Sequence, residues 1–234
     1  MRILGMLLCC LMLFACHQRE VAGGSSSRPA SRPTSRPVAR DARTFWDRRY
    51  DRPEFVYGEE PARVLSENLD LLPRGKVLGL ACGEGRNEVF LAEQGFDVTG
   101  CDISPVALRK CRELARRRGV RVRTREVDLR RWRPEEASWS VITMIYYHDR
   151  SLYPKIKRAL KPGGVVVLEL WSIDQLRFKS GGPRDPELLV QPGELLRAFS
   201  DFRILFYEDR VETLASGMHR GRGAVVRLIA RKQQ

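Results

Sequence analysis

The chain has 234 residues, which is the size of one domain with short extensions. A hydrophobic content of 43% supports a globular core and excludes a wholly disordered chain. The net charge of +13 does not indicate a specific nucleic-acid partner, because the arginines that produce it are spread thinly along the chain. The six cysteines include no Cys-x-x-Cys pair, so neither a metal site nor a disulfide framework is indicated.

The first 16 residues are predicted to be a lipoprotein-type signal peptide. Met1 and Arg2 give a positive start, and the apolar run 3–15 that follows is too short to span a bilayer. This run leads into Leu-Phe-Ala-Cys, ending at Cys16, which resembles the lipobox of bacterial lipoproteins. That resemblance implies a lipid on Cys16 and a membrane-anchored protein. The alternative is a start codon assigned too far upstream, which would leave the protein in the cytoplasm.

Residues 17–43 are predicted to be a disordered linker. Ser-Arg-Pro recurs between Ser27 and Pro37, and proline at this frequency forbids helix and favours an extended polyproline II chain. The globular domain is predicted to occupy 44–234, and we expect it to be a monomer.

From Thr44 onward, predicted helices alternate with predicted strands, which indicates a parallel α/β sheet. The helices lie at 59–72, 85–94, 105–118, 152–160 and 192–199. The strands lie at 76–80, 97–101, 120–127, 138–145, 165–171, 202–213 and 223–231. Because the loop 214–222 is too short for a helix, the last two strands should pair antiparallel. The predicted fold is therefore α/β, with a Rossmann-like, seven-stranded, mostly parallel sheet, a C-terminal antiparallel hairpin and helices on both faces.

The turn after the first predicted strand is rich in glycine. Gly83 and Gly85 can adopt positive φ and let ligand atoms approach the backbone. Asp102 follows the second predicted strand, where a carboxylate can accept hydrogen bonds from a ribose diol. A turn shaped by packing alone and a helix-capping aspartate are the alternatives. We favour a nucleotide-cofactor site, because the glycines and Asp102 stand in register.

The pattern resembles the class I S-adenosylmethionine-dependent methyltransferases over residues 46–231. The resemblance rests on the loop 79–85, Asp102, the pair Asp128-Leu129 and the Leu-Lys-Pro-Gly-Gly turn at 160–164. It implies an enzyme that uses S-adenosylmethionine as its cofactor and methylates a small molecule. More narrowly, segments of the chain resemble a bacterial subgroup of tellurite-resistance and thiopurine-type methyltransferases. These segments are 46–61, 83–87, 181–189 and 219–232.

The same resemblance implies a set of cofactor-binding residues in the loop, after the next strands and in an N-terminal aromatic segment. They are Gly79, Ala81, Cys82, Gly83, Gly85, Asn87, Asp102, Ile103, Asp128, Leu129, Ile145, Trp46, Tyr50 and Tyr57. In the family, the residue matching Asp102 holds the ribose and the one matching Asp128 receives the adenine amino group, although a surface aspartate is an alternative for Asp128. Aromatic faces suit a sulfonium cation, but packing of the first helix explains the aromatic segment equally well.

The candidate catalytic residues are Tyr146, Tyr147 and His148, which follow the fourth predicted strand. Ligands of open α/β sheets bind outside the carboxyl ends of the strands, so these residues should face the methyl group and its acceptor. His148 is either a base or part of the pocket wall, and His219 in the hairpin loop is a second candidate. Methyl transfer to a soft nucleophile depends mainly on alignment, so no catalytic dyad is required.

Two positions depart from the family pattern. Gly79 stands where the family has an acidic residue, and Ala81 replaces the first loop glycine. A lost charged hydrogen bond would weaken cofactor binding about tenfold to a hundredfold. If Ala81 has a left-handed backbone, it adds about 1–2 kcal/mol of strain, and if its φ is negative the cost is small.

Three functions compete. S-adenosylmethionine is made in the cytoplasm, so a lipobox beside its binding loop allows either a working enzyme or an exported binding module whose catalysis has decayed. We favour the enzyme, because Gly83, Gly85, Asp102 and Asp128 are all present. A nucleic-acid methyltransferase is less supported, since the Asn-Pro-Pro-Tyr type motif is absent after the fourth strand.

Overall fold

The computed structural model describes residues 39–179, 181–215 and 217–233. The predicted signal peptide, Cys16 and most of the predicted linker lie outside these residues. Within the described ranges, no helix combines the length and the apolar character needed to cross a membrane.

In the described part of the chain, seven strands form one sheet. The strands are β1 (Lys76–Leu80), β2 (Asp97–Asp102), β3 (Arg123–Glu126), β4 (Trp139–Ile145), β5 (Leu160–Trp171), β6 (Phe202–Leu214) and β7 (Gly221–Lys232). The α-helices are α1 (Ala39–Tyr50), α2 (Arg63–Ser66), α3 (Arg86–Glu93), α4 (Pro105–Arg117), α5 (Tyr153–Ala159) and α6 (Glu194–Ala198). Short 3-10 turns occupy Leu69–Leu71, Arg150–Leu152, Ile173–Arg177, Pro186–Leu188 and Gly217–His219.

The strand order is β3-β2-β1-β4-β5-β7-β6. Neighbours from β3 to β5 run parallel, whereas β7 is antiparallel to both β5 and β6. The predicted Rossmann-like sheet with its C-terminal antiparallel hairpin is therefore confirmed. Because the order reverses between β1 and β4, a ligand crevice is expected outside their carboxyl ends.

The core lies on both faces of the sheet, as the alternation of side chains along β5 shows. Val166 and Leu168 belong to a cluster that includes Ile156 of α5. Val165 and Val167 belong to a second cluster that includes Leu114 of α4. Both faces are covered, which explains why this strand is a continuous apolar run.

The predicted helix at 59–72 is wrong, because the structure has only the four-residue α2 and a 3-10 turn there. Asn68 leaves the helical conformation with a φ of −134°. Its side-chain amide donates to the carbonyl of Val64 at 3.1 Å. Side chains of this type compete with the helix ladder for backbone groups, which sequence periodicity does not reveal.

Other boundaries also differ from the prediction, most clearly the starts of α1 and β5. α1 begins at Ala39, within the segment predicted as linker. β5 begins at Leu160, so the predicted Leu-Lys-Pro-Gly-Gly turn forms its first part. Leu160 pairs with Trp139 and Val165 with Val141, so the turn forms an irregularity in the ladder between these two pairs.

Candidate functional site

The sign of φ alternates along the loop between β1 and α3. Ala81, Gly83 and Gly85 have φ values of 53°, 55° and 83°, all in the left-handed region. The Cys82 amide donates to the carbonyl of Cys101 at 3.0 Å, which ties the loop to β2. The loop therefore turns sharply at the carboxyl end of β1 and leads directly into the first turn of α3.

The space beside each loop glycine is occupied by another side chain. A Cβ on Gly83 would lie 2.8 Å from the Tyr50 hydroxyl, and one on Gly85 would lie 2.7 Å from the Cβ of Cys111. A Cβ on Gly79 would lie 2.8 Å from Cδ of Glu88 and closer still to its Oε1. The glycines thus admit α1, α4 and α3 to the loop, besides allowing its positive φ angles.

Asp102 ends β2 beside the loop. Its Oδ2 accepts from the Gly83 amide at 2.8 Å and its Oδ1 accepts from the Ser104 amide at 2.9 Å. Burial raises the pKa of Asp102 to about 6, although these amides act in the opposite direction. The carboxyl group is therefore ionised at neutral pH, with lone pairs left for a further donor. Ile103 follows it and is half-buried.

The N-terminal aromatic residues lie over this loop. Tyr50 is buried, with its hydroxyl beside Gly83. The Trp46 ring stacks on the Tyr50 ring at 5.7 Å, and Tyr57 meets Tyr50 edge-on at 6.1 Å. The structure therefore brings the three predicted aromatic residues together around Tyr50, which itself lies against Gly83.

Residues of α3 and α4 hold the segment 51–62 that follows the aromatic helix. Arg86 donates to the Tyr57 carbonyl at 3.0 Å, and the Ala62 amide donates to Asn87 Oδ1 at 2.8 Å. Lys110 forms a buried ion pair with Glu84 at 2.5 Å. Asn87, a predicted cofactor-binding residue, thus also anchors this segment.

Asp128 and Leu129 follow β3. Asp128 is half-buried and accepts three bonds from Arg130, one from its backbone amide and two from its guanidinium. These bonds hold the pKa of Asp128 below its usual value. A carboxylate has about four acceptor positions, so one remains for an amino donor. Leu129 is buried in the core.

Tyr146 lies in a cluster of rings at the carboxyl ends of β4 and β5. Its φ is 56°, and its ring centroid is 5.0 Å from Trp171 and 4.2 Å from His219. Tyr57 completes the cluster at 4.6 Å from His219. Burial and Arg86 lower the pKa of His219 to about 3, so its imidazole is neutral at physiological pH. Burial and the nearby Glu169 carboxylate raise the pKa of Tyr146.

Glu169 belongs to a buried ion cluster that backs Tyr146. Arg227 donates to Glu169 at 2.6 Å and to Glu208 at 2.5 Å, and it also binds Glu212. Arg227, Glu169 and Glu212 are all buried. Because each of these charges has a partner, the cluster gives Glu169 a fixed position beside Tyr146.

The other predicted catalytic residues face elsewhere. The His148 Nε2 lies 2.7 Å from the Tyr153 hydroxyl and 3.2 Å from Glu194 Oε1, within a contact between α5 and α6. Burial, and then Arg150, lower the pKa of His148. Tyr147 is half-buried against the core, and Ile145 packs on the opposite face of the sheet. The structure therefore joins Tyr146 to His219 rather than to His148.

The sequence analysis missed Glu88 and Arg86. Glu88 of α3 carries a buried carboxyl group, and burial raises its pKa to about 7. The sequence did contain a hint of this role. Gly79 lacks the expected acidic side chain, and the next helix carries an acidic residue, Glu88, in its first turn. Arg86 gave no signal, because an arginine at the start of a helix is usually exposed.

The site fits the cofactor that the sequence resemblance implies. S-adenosylmethionine offers a ribose diol, an adenine amino group, and sulfonium and ammonium cations. Asp102 retains acceptor positions for the diol, and Asp128 retains one for the amino group. Glu88 and the rings of Tyr50 and Tyr57 provide a carboxylate and aromatic faces suited to cations.

Residues 77–164 match the methyltransferase domain family. The ubiquinone biosynthesis O-methyltransferase of Pasteurella multocida (strain Pm70) is 25% identical over 66% of this chain and 76% of its own length. The thiopurine S-methyltransferase of Gluconobacter oxydans (strain 621H) is 34% identical over 28% of this chain. The chain spans only 32% of that second relative.

A solved structure shares the fold. Geranyl diphosphate C-methyltransferase from Streptomyces coelicolor A3(2), crystallised with Mg2+, geranyl diphosphate and S-adenosyl-L-homocysteine, aligns with a TM-score of 0.58 at 17% identity. The alignment covers 87% of this chain and all of that one. The domain match spans the strands and turns that place the loop, Asp102 and Tyr146. Residues 77–164 therefore form a methyltransferase domain, and these similarities support an S-adenosylmethionine-dependent methyltransferase.

Proposed function

We propose that this protein transfers a methyl group from S-adenosylmethionine to a small molecule, as an enzyme of the tellurite-resistance and thiopurine-type subgroup. The observation that carries the proposal is Asp102, buried at the end of β2 and bonded to the Gly83 amide of the left-handed loop. A carboxylate fixed to the loop in this way is aligned for a ribose diol. Two relatives are named for small-molecule acceptors, which supports an acceptor of that class.

Each site residue has a proposed task. The bound cofactor supplies an activated methyl group. Asp102 binds the ribose, Asp128 accepts from the adenine amino group, and Gly83 keeps its amide bonded to Asp102. Tyr50 and Tyr57 cover the loop and exclude water from it. The remaining cofactor-binding residues are proposed to be Gly79, Ala81, Cys82, Gly85, Asn87, Ile103, Leu129, Ile145 and Trp46.

We propose that the acceptor lies against the rings of Tyr146, Trp171 and His219 and reacts through a soft nucleophile. His219 has a pKa of about 3, which makes it a weak base. His148 is bonded to Tyr153 and Glu194. A thiol ionises more easily than an alcohol and needs little help from a base, so a thiol or a similar acceptor matches this arrangement.

Cofactor binding tests the proposal directly. Thermal unfolding of the full chain should shift upward with S-adenosylhomocysteine, because a ligand at 100 times its Kd adds about 2.7 kcal/mol of stability. Asp102→Asn should reduce the shift, whereas Asp97→Asn, at the exposed start of the same strand, should retain it. No shift at millimolar ligand would remove the enzyme proposal and leave the decayed binding module. Transfer of labelled methyl groups to a panel of thiols and phenols would then identify the acceptor.

We also propose that the protein is a monomeric lipoprotein, anchored by Cys16 ahead of a 17–43 linker and a 44–234 domain. The lipobox-like end of the apolar run supports this. The full chain should partition with membranes, and Cys16→Ser should release it, while Cys10→Ser should not. If wild-type protein is found in the cytoplasmic fraction, the start codon alternative replaces the anchor. Light scattering of the Cys16→Ser protein would measure its molecular mass and so test whether it is a monomer.

A further inference from the structure

Glu88 is a buried carboxyl group with an unbonded oxygen. Its side chain is 2% exposed, and Oε2 has no hydrogen-bond partner among the described residues. Charge in such a place is costly unless a counter-charge is supplied. The positive charge of Arg86 lowers the pKa of Glu88, and the negative charge of Asp102 raises it. The Arg86 guanidinium, however, already donates a hydrogen bond to the Tyr57 carbonyl. Glu88 Oε2 is therefore left without a hydrogen-bonded counter-charge among the described residues.

Two glycines make the space for this carboxyl group. Gly79 of β1 and Gly100 of β2 are paired in the sheet ladder. A Cβ on Gly79 would lie 2.8 Å from Cδ of Glu88, and a Cβ on Gly100 would lie 3.2 Å from its Cγ. The Glu88 side chain thus descends from α3 into a notch between the two strands, directly beneath the loop.

That notch coincides with the departure from the family pattern. The acidic side chain that the family carries at position 79 would occupy the volume that Glu88 fills here. A carboxyl group from α3 therefore lies where the family pattern has one from β1, close to the loop.

We propose that Glu88 supplies the buried carboxylate of the cofactor site in place of the missing strand residue, and that it holds the cationic methionine part of the cofactor. This inference rests on the proposed function. It makes Gly79 a required partner of Glu88 and accounts for one of the two departures from the family pattern, the other being Ala81. Restoring the strand carboxylate alone should then fail, because the two side chains would compete for one volume.

Calorimetric titration of the full chain with S-adenosylmethionine and S-adenosylhomocysteine tests the role without an activity assay. Glu88→Gln keeps the shape and removes the charge, so it should raise the Kd about tenfold to a hundredfold. Glu93→Gln, on the exposed side of the same helix, should leave the Kd unchanged. An equal loss for both ligands assigns Glu88 to the shared ammonium group, and a loss confined to S-adenosylmethionine assigns it to the sulfonium.

Exchange of the carboxylate between elements separates charge from packing. Gly79→Asp alone should weaken binding and lower the melting temperature. The double variant Gly79→Asp/Glu88→Ala should bind within a few-fold of wild type, whereas Glu88→Ala alone should not. A wild-type chain that binds while Glu88→Gln binds equally well overturns this inference and keeps the proposed function. A wild-type chain that binds neither ligand overturns both.

Discussion

Ala81 is the residue at which sequence and geometry disagree most directly. Its φ of 53° is one that glycine adopts freely and alanine adopts at a cost of about 1–2 kcal/mol. Replacing Ala81 by glycine would remove this strain, but it would also raise the conformational entropy of the unfolded chain. That entropy offsets about 0.4–1 kcal/mol of the stability gained. Ala81→Gly should therefore raise the free energy of unfolding by up to about 1.6 kcal/mol, measured by urea denaturation.

A helical alanine provides the control for that substitution. Ala92 lies within α3 and is not among the described non-glycine residues with positive φ. Ala92→Gly should lower the free energy of unfolding by about 1 kcal/mol, since glycine weakens a helix interior. Equal losses in both variants would show that Ala81 is unstrained. The sequence left the cost at position 81 conditional, because φ at one loop residue depends on how the loop is tied to β2.

At the scale of elements, the segment 51–62 is held to α4 by one buried side chain. Lys110 donates to the carbonyls of Arg52 at 3.0 Å and Glu54 at 2.6 Å, and it pairs with Glu84. Removing one partner of a buried ion pair costs about 3–5 kcal/mol. Lys110→Met should therefore speed hydrogen exchange in residues 51–62 more than in β1, as measured by mass spectrometry of peptides.

The matched control is another cation on the same helix. Arg109 is exposed, so Arg109→Met should leave exchange in residues 51–62 unchanged. Uniform acceleration across β1 and the segment in Lys110→Met would show that the lysine supports the whole fold rather than the cover of the loop.

Elements governed by local signals were predicted well. β1 was predicted at its observed bounds, and α4 was predicted from the Ser104 cap and Pro105, where the cap accepts from the Ala107 amide at 3.1 Å. The helix at 59–72 failed, because Asn68 ends α2 with a local side-chain bond. The position of His148 failed for a different reason. It was expected to face the acceptor, but Glu194, a partner distant in sequence, helps to hold it between α5 and α6.

At the scale of the whole molecule, the type of sheet was accessible from sequence, whereas the filling of the site was not. Alternating elements and the loop 214–222 between two strands are enough to predict a parallel sheet that ends in a hairpin. The notch between Gly79 and Gly100 was not accessible, because it depends on the register of β1 and β2 and on a side chain from α3. Sequence alone therefore showed that Gly79 lacks a carboxyl group, but not that Glu88 places one beside it.

Two buried carboxyl groups, Glu88 in that notch and Asp102 at the end of β2, should make stability depend on pH. The pKa of Glu88 is raised from 4.5 to about 7 and that of Asp102 from 3.8 to about 6, both chiefly by burial. The folded protein then holds protons that the unfolded chain has released, so this contribution is complete below the unfolded values and is lost as pH rises through about 6 to 7. Each pKa unit is worth about 1.4 kcal/mol, so the Glu88 contribution is on the order of 3 kcal/mol.

His219 and His148 act in the opposite direction. Burial lowers both pKa values, so their contribution is present above the unfolded value of 6.5 and is lost as pH falls. Below pH 6.5 the histidine and carboxyl contributions change stability in opposite directions as pH changes. Above pH 6.5 the histidine contributions are complete, so the loss of the Glu88 contribution determines the change in stability. Urea denaturation between about pH 6.5 and 8 should therefore show falling stability in wild type and a flatter profile in Glu88→Gln. The Glu93→Gln variant should follow wild type, and identical slopes in all three proteins would place the pKa of Glu88 outside this range.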